Sequence, residues 1–262
     1  MIHSLKRKLR AMDNAGAHPR RVSALKWAWH QGKNLSDRKA IKELDRTLEM
    51  LAARKPRGVL EIATAKGGSL FLFRRVVSDD ALIIGLDMPY GRNGGGYPRW
   101  KEAAYRRFAN PGQRLEPLRG NSHDAAPLAQ VGKSLGGREI DFLMIDGDHS
   151  HEGVRMDFER YAPLASPEGL IALHDSLPTP YDPSISVDVF WREITATHRC
   201  EEIKGGRPGA RRRLDRPRSR SRPPGDRLKR PRCHPRIQPR RTATADAAPS
   251  IASGGSVRCV GF

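Results

Sequence analysis

The chain has 262 residues, 48 Lys and Arg against 29 Asp and Glu, a formal net charge of +19 and a pI of about 10.6. That length buries one substantial core, so a single domain with a tail is the natural division. Cys200, Cys233 and Cys259 are odd in number and outside any C-x-x-C pair, which argues against a disulfide framework or a zinc site and for a reducing, cytoplasmic setting. No apolar run reaches about 18 residues, and the basic start lacks the apolar core of a signal peptide, so nothing reads as a membrane span.

Residues 1–35 form a basic extension in which Trp27 and Trp29 are expected to pack on the domain. From Ser36, the spacing of Ile41, Leu44, Leu48 and Leu51 predicts a helix that Pro56 ends. Val59–Ser69 then reads as strand, tight turn and helix. Gly67 and Gly68 let the backbone approach a ligand, and the helix opening at Ser69 presents N–H groups without intrahelical partners. The dinucleotide fingerprint G-x-G-x-x-G is absent, its places being held by Ala63, Ala65 and Gly68. Ala81–Asp87 is an unbroken apolar run of the kind central parallel strands use, and it ends in an acid. In a doubly wound sheet that acid lies beside a nucleotide ribose, which makes Asp87 the ribose residue. The glycine-rich stretch Met88–Tyr97 reads equally as a lid or a surface connection, and Pro98 opens a helix running to about Ala109. Arg114–Arg119 is a third strand, closed by Gly120–Asp124.

Two further strands carry the densest chemistry. Glu139–His149 fills its strand with apolar residues and ends on Asp146, Asp148 and His149, while Gly169–Asp175 ends on His174 and Asp175. Neighbouring parallel strands would set Asp146, Asp148, His174 and Asp175 around one spot. Carboxylates so close repel unless protonated or bridged by a cation, which a divalent metal supplies. For Asp148 and His149 the plainer reading is a cap on the helix near Gly153, which turns Val154, Phe158 and Tyr161 to the sheet. The loop Leu177–Ser184 borders the site, and Ile185–Thr197 is a last helix with Phe190 and Trp191 in the core. The order of elements is that of an α/β, doubly wound, mostly parallel Rossmann-like sheet.

These motifs resemble those of a known family. E-I-A-T-A-K-G-G-S is similar to motif I of class I S-adenosylmethionine-dependent methyltransferases, and G-N-S-H-D to their adenine-side G-D-S-H-D. D-F-L-M-I-D-G-D-H-S, E-G-V-R-M-D-F-E and I-A-L-H-D resemble the cephalosporin-hydroxylase and catechol O-methyltransferase-like group over about residues 55–200. The resemblance implies an enzyme that moves a methyl group from S-adenosylmethionine to a hydroxyl of a small molecule, such as a sugar or natural product. It places Glu61 under the cofactor, Ala63, Gly67, Gly68 and Ser69 at its turn, Asp87 on the ribose, and Asn121, Ser122 and His123 around adenine. It implies a divalent metal, Mg²⁺ first, on Asp146, His174 and Asp175, with His149 as a general base. Two positions depart from the pattern. Ala63 replaces a glycine and would crowd the cofactor, and Asn121 replaces an aspartate and weakens an adenine contact.

The domain is expected to span residues 36–203. The family ends on two more strands, the last antiparallel; residues 200–203 begin the first, and the sheet is expected to lack the second. Residues 204–262 hold 17 Lys and Arg against 3 Asp, together with 8 of the 20 prolines, so +14 of the +19 lies there. Such a composition reads as a disordered tail, either an arm for nucleic acid or a segment translated out of frame. The alternatives to a small-molecule enzyme are therefore an inactive relative and a nucleic-acid methyltransferase. Homo-oligomerisation stays open.

Overall fold

The computed structural model describes residues 38–91, 96–178, 182–203 and 257–262. Chain order is α1 (Arg38–Arg54), β1 (Gly58–Ile62), α2 (Gly68–Phe73), β2 (Leu82–Asp87), α3 (Glu102–Arg106), β3 (Arg114–Arg119), α4 (Ala125–Leu135), β4 (Ile140–Ile145), α5 (His151–Tyr161), β5 (Ala165–Leu173), α6 (Val187–Thr195), β6 (Arg199–Glu202) and β7 (Arg258–Gly261). The seven strands form one sheet in the order β3-β2-β1-β4-β5-β7-β6, parallel throughout.

Helices cover both faces because the strands alternate apolar side chains into two cores. Val59, Ile83 and Phe142 pack with Leu48 and Leu51 of α1 and Leu70–Phe73 of α2. Leu60, Ile84 and Leu143 pack instead with Val131 of α4, Val154 and Phe158 of α5, and Trp191 of α6. Both faces of β1, β2 and most of β4 are thus buried, as their predominantly apolar sequences predict, with Glu61 of β1 and Asp141 of β4 the polar exceptions inside them. The chain reverses its winding between β1 and β4, and the carboxyl ends of those strands border the crevice where such sheets bind ligands.

The sheet does have a seventh strand. Cys259, Val260 and Phe262 are buried between β5 and β6, so the end of the expected tail belongs to the core. The mostly apolar segment Val257–Phe262, interrupted by Arg258, supplies this strand, and its distance from β6 in sequence hides the pairing. It runs parallel, not antiparallel, so the absence expected of an antiparallel strand holds only for the direction. The rest of the tail and residues 1–37, with Trp27 and Trp29, lie outside the described residues.

Other elements differ in length or were not foreseen. The segment after Pro98 is a 3₁₀ turn, Arg99–Lys101, followed by the five-residue α3. α4, unforeseen, has Pro127 and Gly132 inside it and only three buried side chains facing the sheet. No helix among the described residues is long and apolar enough to cross a membrane.

Candidate active site

The turn after β1 is built from backbone. Ala63 (φ 69°), Ala65 (φ 49°) and Gly67 (φ 75°) all take left-handed conformations, which glycine adopts freely and alanine at about 1–2 kcal/mol. The glycine missing at position 63 is thus missing where the backbone favours one. Gly67 is also needed for space, since a Cβ there would lie 2.9 Å from the Tyr105 ring. Gly68 and Ser69 open α2, which is only six residues long. Gly85, inside β2, makes room for the turn as well, because a Cβ would meet the Thr64 hydroxyl at 2.6 Å.

Two acids stand at this turn. Glu61 is 2% exposed on β1, in register with Gly85 and Met144. Asp87 is 4% exposed at the end of β2 and accepts hydrogen bonds from the backbone N–H groups of Ala65 and, at 2.9 Å, Gly96. Burial pushes the Asp87 carboxyl up, and those N–H groups pull the other way. Gly96 reaches this carboxylate because the chain doubles back after β2; a Cβ on it would lie 2.5 Å from the Met88 carbonyl oxygen.

The other half of the crevice is built from side chains. Asp146 follows β4, and His174 and Asp175 follow β5. His149 lies between them, with Nε2 3.3 Å from Asp146 and Nδ1 3.0 Å from Asp175. His174 Nδ1 is 3.0 Å from Asp146 and 3.4 Å from Asp175. Hydrogen bonds to Asp146 first and Asp175 second push the His149 imidazole up to about 10, against burial. Burial acts to raise the Asp175 carboxyl, but the two histidines outweigh it and hold Asp175 well below the usual carboxylate range. Asp175 itself takes φ 56°, and the next residue, Ser176, donates its N–H and its hydroxyl to the Phe262 carbonyl at 2.8 and 3.0 Å. The end of β7 therefore braces the turn that carries Asp175.

Donor atoms of Asp146, His149 and His174 all lie within 4.8 Å of one another, a separation one ion can bridge. This triad differs from the expected Asp146, His174 and Asp175: His149 enters it and Asp175 backs the imidazoles. The cap of α5 is neither Asp148 nor His149 but Ser150, whose hydroxyl accepts from Gly153 N–H at 3.0 Å, while Asp148 accepts from Ser150 N–H at 2.9 Å. Asn121 folds back on its own loop and accepts from His123 N–H at 3.1 Å. Ser122 offers its carbonyl to the Tyr161 hydroxyl at 3.0 Å, and the His123 ring faces Asp157.

Residues 60–176 match the family described as "Methyltransferase domain". That segment, under half of the chain, is thus similar to a methyltransferase domain. Solved structures similar to the chain include an O-methyltransferase from Bacillus cereus in complex with SAH, at 19% identity, covering 66% of this chain and 79% of that one with TM-score 0.48. The O-methyltransferase TomG from Streptomyces achromogenes, involved in tomaymycin synthesis and in complex with SAM, is 16% identical over 65% of this chain and 76% of its own, TM-score 0.48. MycE from the mycinamycin biosynthetic pathway, with Mg and SAH, is 22% identical over 59% and 42%, TM-score 0.39. A curated relative, "Uncharacterized protein y4gI" of Sinorhizobium fredii, is 25% identical over 150 residues, which is 56% of this chain and 16% of that protein. The chain thus spans a small part of that relative's length.

Within the described residues, three contributors to the site were not among the expected ones. Tyr105 covers Gly67 from a short helix without an informative pattern, and Gly96 reaches Asp87 from a loop. Gly85 is the exception that carried a signal, because a glycine inside an otherwise apolar strand marks a close approach of backbone.

Proposed function

We propose that the methyltransferase domain moves the methyl group of S-adenosylmethionine to a hydroxyl of a small molecule, assisted by a divalent cation. The observation supporting this is the meeting of Asp146, His149, His174 and Asp175 at the ends of β4 and β5, beside the strands whose ends carry Glu61 and Asp87.

The cofactor side fits its ligand. The left-handed turn from Ala63 to Gly67 keeps side chains out of the approach, and the Asp87 carboxylate, with about four acceptor positions, keeps two for ribose hydroxyls after accepting two N–H groups. Glu61 fixes the floor. Most of the rate would come from holding sulfonium and acceptor oxygen in line.

The other side fits a cation. Two imidazoles and a carboxylate favour an ion that accepts nitrogen, so Mn²⁺ suits this set better than Mg²⁺. Such an ion, when bound, lowers the pKa of an acceptor hydroxyl and orients it. His149, expected as the base, is held protonated near neutral pH by its two carboxylates; it would have to give up that proton before it could either ligate a cation or accept a proton from the acceptor. Asp175 holds both imidazoles in place.

Calorimetric titration of S-adenosylmethionine into the full chain, with and without Mn²⁺ or Mg²⁺, tests the reading. Heat of binding that is lost in Asp87→Ala supports it. Unchanged binding in that variant removes the ribose assignment, and no binding to the unaltered protein removes the function.

A further inference from the structure

Asp157, on α5, has no place in the chemistry above, yet it is 0% exposed. Neither of its carboxylate oxygens accepts a hydrogen bond among the described residues. It faces His123, whose Nε2 stands 3.4 Å from Oδ1, a contact that is an ion pair when the imidazole is protonated. His123 comes from the loop after β3, at one edge of the sheet, so the pair spans the distance from that edge to the helix behind β4.

The other oxygen of Asp157 faces the cation loop. A Cβ on Gly147, the residue after Asp146, would come within 3.1 Å of Oδ2 and 3.3 Å of the Ile62 side chain. The loop therefore passes close to the carboxylate, where a larger residue would be tight. One helical turn further along the same face, the Tyr161 hydroxyl donates to the Ser122 carbonyl at 3.0 Å. α5 thus grips two consecutive residues of the loop after β3 while supporting the loop after β4.

Stability alone does not account for this arrangement. A buried ion pair with imperfect geometry gains little over an apolar pair of the same volume, because desolvation offsets the attraction. Such a pair does specify one arrangement, since either partner alone leaves an uncompensated buried group. We propose that Asp157 is a positioning residue: through His123 and Gly147 it fixes the cofactor-side loop 120–124 against the loop that carries Asp146 and His149. His123 then faces inward as the pin of that loop and is not itself an adenine contact. Asp157 first, and a backbone hydrogen bond to Gly153 among lesser causes, raises the His123 imidazole against burial.

The inference rests on the proposed cofactor site, and its test separates the two. Asp157→Asn, His123→Gln and the double variant are compared with the unaltered full chain. Amide hydrogen exchange without ligand should quicken in both loops, 120–124 and 146–149, in either single variant. The dissociation constant of S-adenosylhomocysteine should rise roughly ten-fold in each, with little change in kcat, and the double variant should lose no more than one of them. Its folding midpoint should recover towards that of the unaltered protein, as any paired contact would show, so the discriminating readouts are the exchange of the two loops and the ligand affinity. Protection unchanged in both loops overturns the inference whatever the ligand does. So does unchanged affinity in protein that binds S-adenosylhomocysteine, whereas failure of the unaltered protein to bind it overturns the function and leaves the exchange result standing.

Discussion

The two halves of the crevice solve opposite problems. After β1 and β2 the ligand surface is backbone: a turn with three left-handed residues, and one carboxylate already holding two of the chain's own N–H groups. After β4 and β5 it is side chains: two carboxylates and two imidazoles neutralising one another. The first half is formed and electrically settled before a ligand arrives, and its weakness is strain. The second is held by a histidine proton, and its weakness is charge. On the proposed function, shape would select the cofactor and the charge balance a cation.

If the halves are separable, removing an acid from one should leave the other working. Asp146→Asn should weaken Mn²⁺ binding by about 100-fold or more while S-adenosylhomocysteine affinity changes by less than about three-fold; parallel titrations of both ligands check this. Equal losses of both would mean that the crevice behaves as one unit. A gain is expected on the backbone side. Ala63→Gly relieves a left-handed alanine and should stabilise the protein by about 1 kcal/mol after the extra freedom of the unfolded chain is counted, seen in urea denaturation, and should tighten the cofactor. A loss of stability there would show that the turn is not strained.

The smallest effect concerns pH. The folded-state pKa of His123 is raised above its ordinary value near 6.5, so its pairing with Asp157 contributes fully below that value and is lost as pH rises through the folded-state pKa. The difference in melting temperature between the unaltered protein and His123→Gln should therefore be largest on the acid side and shrink as pH rises. A difference that is constant with pH would mean that the histidine carries no charge in the fold.

The parts of the fold that show in sequence are those where a local pattern decides the outcome. The apolar runs Leu82–Leu86 and Phe142–Ile145 read as strands buried on both faces, and the polar residues that follow them then meet at one edge. Hence the meeting of Asp146, His174 and Asp175 was legible in the sequence, whereas Asp148 was expected beside them where the structure sets His149. β7 was not, because four residues far along an Arg- and Pro-rich stretch become a strand only through tertiary burial. α4 hides behind an internal proline and glycine. His123 and Asp157 each read as ordinary polar residues of a loop and a helix, and only their approach across the sheet gives them a common role.

The account stands on a cation and a sulfonium donor sharing one crevice. Loading the protein with Mn²⁺ and S-adenosylmethionine labelled with ¹³C at its methyl group, and measuring the relaxation of that methyl by NMR, asks this directly. The account predicts strong paramagnetic broadening that disappears in Asp146→Asn while the cofactor stays bound. A methyl signal that remains sharp with both ligands bound would place the ion elsewhere and contradict it.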